Sequence, residues 1–261
     1  MSAQVTFFGS SPLSVTVLQK LIDAKLVGEV ITKADKPTGR HLKLTPNPVK
    51  TLAEQHGIPV VASPTPGTIG LVAAYGKIIP QSTLDIFAGK IYNIHPSLLP
   101  KYRGPSPLQS QILDGVTETG VTIIRLDAEM DHGPVVAQST DTIQPTDTWL
   151  SLGERLFLQG TELFINLLNT GFTSPEQEQQ HSLATYTQLV SRQTGFMPWE
   201  ELEPLLNSRD SALDQKIRGL WEWPGVWTLL PNNQRMKVKS IFPETLVQVE
   251  GKTVQRWPIV I

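Results

Sequence analysis

Val5-Thr6-Phe7-Phe8-Gly9-Ser10-Ser11-Pro12-Leu13, with the apolar residues that follow it, decides the fold. Val5 to Phe8 is a short run of strand-forming residues. Ser11 suits a helix N-cap, and Pro12 suits the first helical position. Leu13, Val17, Leu18, Leu21 and Ile22 then recur at helical spacing, and Val27 to Thr32 reads as a second strand. Strand, helix and strand at this spacing predict a parallel βαβ unit.

Working outward, residues 33–50 break the pattern. Lys33, Lys36, Arg40, Lys43 and Lys50 face a single acid, Asp35, with three prolines among them, so a basic irregular loop is expected. Thr51 to His56 reads as a short helix, Val60-Val61 as a strand fragment, and Ser63 to Gly67 as a turn. Leu71 to Tyr75 and Ile91 to Ile94 read as further buried strands. Gly120 to Leu126 and Val135 to Thr142 alternate like an antiparallel pair, and their connection carries Asp127, Glu129, Asp131 and Gly133. Asp147 or Thr148 is expected to cap a helix running to about Leu168, with Leu152, Leu156, Leu163 and Leu167 on its inner face. Ser174 to His181 has no packing period and reads as exposed loop. Leu213 to Leu220 is helical in pattern. Trp227 to Leu230, Met236 to Phe242, Leu246 to Glu250 and Thr253 to Trp257 read as short strands. The expectation is α/β: a Rossmann-like domain with a mostly parallel sheet over residues 1–185, a linker over 186–206, and a small β-rich domain over 207–261.

Composition narrows the function. The 261 residues hold no cysteine, which excludes disulfides, thiol catalysis and thiolate-ligated metal. A formal net charge of −2 gives no global attraction to nucleic acid, so any basic patch is local. The N-terminus lacks the basic and apolar regions of a signal peptide, and no apolar run reaches membrane-spanning length. A cytoplasmic protein with no membrane association is expected. Gly9-Ser10-Ser11 sits where a nucleotide-binding loop would sit but lacks the glycine spacing of one. No two of the five histidines have metal-ligand spacing. His41, His56 and His181 read as exposed polar residues, and His132 as a turn residue.

His95 differs. In Asn93-Ile94-His95-Pro96-Ser97-Leu98-Leu99-Pro100, Asn93 and His95 are two apart at the end of an apolar run, so a strand projects both from one face. Asp131 follows 36 residues after His95. An amide donor, an imidazole and a carboxylate converging at a sheet edge suit transfer of an acyl-type carbon to an amine without a protein nucleophile. Asn93 alone could close a turn, and His95 alone could be structural. Their combination with Asp131 points to catalysis.

That combination resembles the folate-dependent formyltransferase family, whose hallmark is an Asn-x-His pair before Ser-Leu-Leu-Pro and an Asp-x-Gly turn downstream, here Asp131-His132-Gly133. Ala74-Tyr75-Gly76, Tyr102 to Pro107 and Glu118 to Thr122 are supporting matches, and the likeness covers most of residues 1–200. Within the family the chain is similar to the methionyl-tRNA formyltransferases, through the basic segment Asp35 to Lys50 and through Trp221-x-Trp223-Pro224-Gly225-x-Trp227. The resemblance implies transfer of the formyl group of 10-formyltetrahydrofolate to the α-amine of methionyl-tRNA by a monomer, with no metal. Asn93 would donate to the oxyanion. His95 would stabilise that oxygen or handle the amine's proton. Asp131 would orient His95 or hold a relay water. Ser97, Leu98, Leu99 and Pro100, with Ile78, Ile79 and Ile91, would border the folate site, and Lys36, Arg40 and Lys43 would contact tRNA. Formyl transfer to a small amine, such as an amino sugar nucleotide or glycinamide ribonucleotide, and a non-catalytic folate- or tRNA-binding module are the alternatives. Two departures from the family stand out. The stretch between Pro59 and Leu71 leaves little room for a helix, and the C-terminal region is about half the usual size, so a partial OB-like domain is expected.

Overall fold

The computed structural model describes residues 4–38 and 43–258. Its strands are β1 (Val5–Phe8), β2 (Val27–Ile31), β3 (Lys36–Thr38), β4 (Lys43–Thr45), β5 (Ile69–Ala73), β6 (Ile91–His95), β7 (Glu118–Arg125), β8 (Val135–Thr142), β9 (Val226–Leu229), β10 (Arg235–Ser240), β11 (Leu246–Val249) and β12 (Val254–Arg256). Its helices are α1 (Pro12–Asp23), α2 (Pro48–Gln55), α3 (Gln81–Ile86), α4 (Pro107–Leu113), α5 (Trp149–Thr170), α6 (Trp199–Ser208) and α7 (Ser211–Gly219). The chain divides into two compact units. One comprises residues 1–105, 118–142 and 153–186, and the other 106–117, 143–152 and 187–261.

The first unit is built on a six-stranded sheet of order β2-β1-β5-β6-β7-β8. β2, β1, β5 and β6 run parallel, and β7 and β8 extend the sheet antiparallel. The expected βαβ start is present. Ser11 caps α1 in a reciprocal box with Ser14, whose hydroxyl also reaches the Ala73 carbonyl at 2.7 Å. α5 lies against the opposite face of β6 from Asn93 and His95. Gly160 makes the approach possible, since a Cβ there would sit 2.5 Å from Ile94 and 2.8 Å from Val121. Tyr92 stacks on Phe172 at 4.5 Å on the same side. Phe157 and Phe164 are buried on α5, whereas Leu163 is only half-buried. A 3.6-residue period carries the stripe through the phenylalanines rather than through an unbroken row of leucines.

The described residues among 33–50 are more regular than the sequence suggests. β3 and β4 pair antiparallel, with Lys36 opposite Thr45 and Thr38 opposite Lys43. Asp35 anchors the base of this hairpin, accepting from the Asn47 amide at 3.0 Å and from Lys50 Nζ at 2.9 Å. α2 starts earlier than expected because Asn47 caps it and Pro48 opens it. Between α2 and β5 there is no helix. Val60 makes a single parallel bridge to Val30, and Glu29 ties down the following turn through Thr65.

The second unit holds a four-stranded antiparallel sheet of order β12-β11-β10-β9, together with α4, α6 and α7. Residues 186–206, expected as a linker, instead carry most of α6. Its Leu202 and Leu206, one turn apart, are buried with Leu213, Ile217, Val226, Met236 and Val247 in one core cluster. That spacing is the apolar stripe of a packed helix.

Candidate functional site

β6 alternates cleanly. Tyr92 and Ile94 face α5, and Ile91, Asn93 and His95 face the other way. Ile91 packs into a cluster with Phe8, Ile31, Val72, Leu84 and Phe87, which fills the sheet face below the polar pair. Asn93 is half-buried, and His95 is 3% exposed.

Asp131 reaches these two from the β7–β8 connection. That connection leaves β7 beside Ile91, where the Leu126 amide donates to the Ile91 carbonyl at 2.9 Å, and it closes with Arg125 N donating to Pro134 O at 3.0 Å. Asp131 therefore arrives over the face of β6. Its Oδ1 lies 3.4 Å from Asn93 Nδ2 and 3.5 Å from His95 Nδ1, and its Oδ2 accepts from Gly104 N at 2.8 Å. The carboxylate is thus held firmly by one backbone amide and loosely by the Asn93 amide, with His95 Nδ1 beside it. Asp131 has φ +52°, in the left-handed region. Gly133 lets the turn lie tight on β7, because a Cβ there would meet Arg125 O at 1.9 Å.

His95 Nε2 lies 2.9 Å from the Tyr102 carbonyl. A carbonyl oxygen only accepts, so Nε2 carries the hydrogen and Nδ1 is the nitrogen beside Asp131. The Asn93 amide has two hydrogens, of which Asp131 engages one.

The turn after His95 is fixed by Thr122 on β7. Its hydroxyl donates to Ser97 O at 2.6 Å and accepts from Leu99 N at 3.2 Å and from Gln138 Nε2 at 2.8 Å. Ser97 Oγ donates to Lys101 O at 2.7 Å. Ser97 and Leu99 are buried, Leu98 and Pro100 half-buried, and the Leu99–Pro100 peptide is cis. Ile79 packs against the cluster that holds Ile91, whereas Ile78 is 87% exposed. Of the basic residues, Lys36 lies on β3 and Lys43 on β4, and Arg40 lies outside the described residues.

Sequence reasoning missed two residues and misplaced a segment. Ser174 to His181 is not simply exposed loop. Gln177 bridges to Val135 with 2.8 Å bonds in both directions, and Gln179 is buried. Gln179 Nε2 lies 2.7–3.0 Å from the carbonyls of Asp131, His132 and Gly133, and its Oε1 accepts from Arg103, itself 1% exposed. His181 is exposed as expected, yet it lies 2.9 Å from Arg103 through Nδ1 and stacks on His132 at 4.1 Å. The signal for Arg103 was its place in Tyr102-Arg103-Gly104-Pro105; Gln179 carried none.

The formyl transferase family profile matches residues 3–168. Among curated relatives, the methionyl-tRNA formyltransferase of Geotalea daltonii is 35% identical over 95% of this chain and 81% of its own length. That of Chloroflexus aurantiacus is 37% identical over 86% of this chain and 76% of its own. Among solved structures, WlaRD, a sugar 3N-formyl transferase crystallised in the presence of dTDP and 5-N-formyl-THF, aligns over 97% of this chain and all of its own, with a TM-score of 0.67 at 18% identity. That likeness is one of fold.

Proposed function

Because this chain belongs to the formyl transferase family, we propose that it moves the formyl group of 10-formyltetrahydrofolate to the α-amine of methionyl-tRNA. The observation that carries the chemistry is the convergence of Asn93, His95 and Asp131 on one face of β6. The acceptor is argued from the curated relatives, which are methionyl-tRNA formyltransferases across most of the chain, and from the basic β3–β4 segment.

The amine nitrogen attacks the formyl carbon, whose oxygen gains negative charge. The free Asn93 hydrogen is the donor for that oxygen. His95 Nδ1, left open by the Nε2 bond to Tyr102, accepts the proton shed by the amine. Asp131 Oδ1, 3.5 Å away, stabilises the ring when it carries this second proton. The bond from the formyl carbon to the folate nitrogen then breaks, and that nitrogen takes up a proton. The products are N-formylmethionyl-tRNA and tetrahydrofolate. Ser97 to Pro100, held by Thr122, and the exposed Ile78 form the folate border, with Ile79 and Ile91 packed behind it. Lys36, Arg40 and Lys43 supply the phosphate contacts, a role for which cations close together in the sequence are suited.

The test is acceptor choice. Labelled formyl from 10-formyltetrahydrofolate is followed into methionyl-tRNA and, separately, into free amino-sugar nucleotides and glycinamide ribonucleotide. Transfer to methionyl-tRNA with negligible transfer to the small amines is expected, and the reverse preference would overturn the proposal.

A further inference from the structure

We infer that Gln179 is a positioning residue for Asp131, and that Arg103 orients Gln179 for that task. The inference rests on the role proposed above for Asp131.

Three observations carry it. The Gln179 carboxamide nitrogen is 2.9, 3.0 and 2.7 Å from three consecutive carbonyls, those of Asp131, His132 and Gly133. A single side chain thus clasps the backbone of the whole turn on which the carboxylate stands. Asp131 itself is in the left-handed region, which aspartate tolerates better than most non-glycine residues, and the Gln179 contacts hold the turn in which it does so. Finally, the orientation of Gln179 is determined. Arg103 offers only donors, reaching Gln179 Oε1 through Nη2 at 2.7 Å and through Nε at 3.3 Å, so the oxygen must point at the arginine and the NH2 at the turn.

The arginine is almost wholly buried, and its side-chain partners are neutral acceptors: Gln179, His181 Nδ1 and the Tyr186 hydroxyl. Burying a guanidinium against neutral groups is a poor way to gain stability. It is an effective way to fix a carboxamide. The next residue, Gly104, donates its own amide to Asp131 Oδ2 at 2.8 Å. Arg103-Gly104 therefore holds Asp131 twice, by its carboxylate directly and by its backbone through Gln179.

Gln179→Glu separates positioning from bulk. The carboxylate keeps the length and volume of the side chain and pairs better with Arg103, but it has no hydrogen for the three carbonyls. Expected is a fall in kcat of about 100-fold, as follows from misplacing a reacting group by about 1 Å, with KM for 10-formyltetrahydrofolate unchanged. In an Asp131→Ala background the same substitution should cost nothing further, because the group it positions is gone. By NMR, the His95 ring signals of Q179E should move to where Asp131→Ala puts them. Gln179→Asn, one methylene too short to span from Arg103 to the turn, supplies the same three readings if Q179E does not fold. An equal loss in both backgrounds, a wild-type kcat, or His95 signals at their wild-type positions would overturn the inference. The NMR reading does not depend on turnover. A wild-type protein inactive on methionyl-tRNA would therefore count against the proposed function and leave the positioning of Asp131 separately decided.

Discussion

Gly133→Ala places the smallest perturbation at the point where the site depends most on close packing. A Cβ at this position would lie 1.9 Å from the Arg125 carbonyl oxygen and 3.1 Å from its carbon. To bring the first contact out to about 3.0 Å, the turn must retreat from β7 by about 1 Å. Asp131 rides on that turn two residues earlier, and its Oδ1 is already 3.4 Å from Asn93 and 3.5 Å from His95. A retreat of this size breaks the hydrogen bond from Asn93 and moves the carboxylate away from the His95 ring. The three Gln179 bonds, at 2.7–3.0 Å, resist the movement, so part of the cost appears as strain. We expect a loss of stability of about 1–3 kcal/mol, typical of overpacking. We expect a fall of about 100-fold in the single-turnover rate of formyl transfer to methionyl-tRNA. Urea unfolding reads the first quantity and rapid quench the second. A well-folded G133A protein with a wild-type rate would refute the claim that the turn sets the position of the carboxylate.

Other expected outcomes follow from single features. Glu29 is buried and accepts from Thr6 Oγ1, Thr65 N and Thr65 Oγ1 at 2.7–2.8 Å, so Glu29→Ala should cost about 1.5–3 kcal/mol in urea unfolding and leave the transfer rate unchanged. The Lys50 ammonium and the Asn47 amide hold Asp35 below its usual 3.8, and Asp35 in turn holds Lys50 above 10.5. The Asp35 contribution is therefore present above 3.8 and is lost as pH falls through its lower folded value. The Lys50 contribution is present below 10.5 and is lost as pH rises through its higher folded value. The melting-temperature gap between wild type and Asp35→Asn should be flat around neutrality and close in strong acid. Replacing Lys36, Arg40 and Lys43 by glutamine should weaken methionyl-tRNA binding, with folate binding unchanged. The salt slope should fall by roughly 0.7–0.9 for each phosphate no longer neutralised. A triple variant that binds tRNA as wild type does would remove the hairpin from the interface.

Much of the first unit was legible because its elements announce themselves by period. Val5 to Ile31 shows strand, cap, proline and helix in order, and β6 puts Asn93 and His95 on one face by parity alone. Asp131 was legible only through its motif. No periodicity tells how a connection that leaves β7 beside Ile91 comes back over β6. Gln179 was invisible for a physical reason. What buries it is a set of backbone carbonyls and a guanidinium, not an apolar face, so a search for hydrophobic pattern passes over residues 174–181. The boundary drawn at residue 207 failed differently. Leu202 and Leu206 share a core with Leu213, Ile217 and Val247, so a cut at that point divides a cluster. The signal was there in the four-residue spacing, but the polar residues around Glu200, Glu201 and Glu203 masked it.

The most direct measurement is the single-turnover transfer of labelled formyl from 10-formyltetrahydrofolate to methionyl-tRNA by wild type, Asn93→Ala, His95→Ala and Asp131→Ala, each verified as folded by its melting curve. Loss of one well-placed donor or charge is expected to remove about 2.7–4 kcal/mol of transition-state stabilisation, a fall of roughly 10²- to 10³-fold in rate for each variant. Folded variants that transfer the formyl group at near-wild-type rates would contradict the assignment of the chemistry to this face of β6.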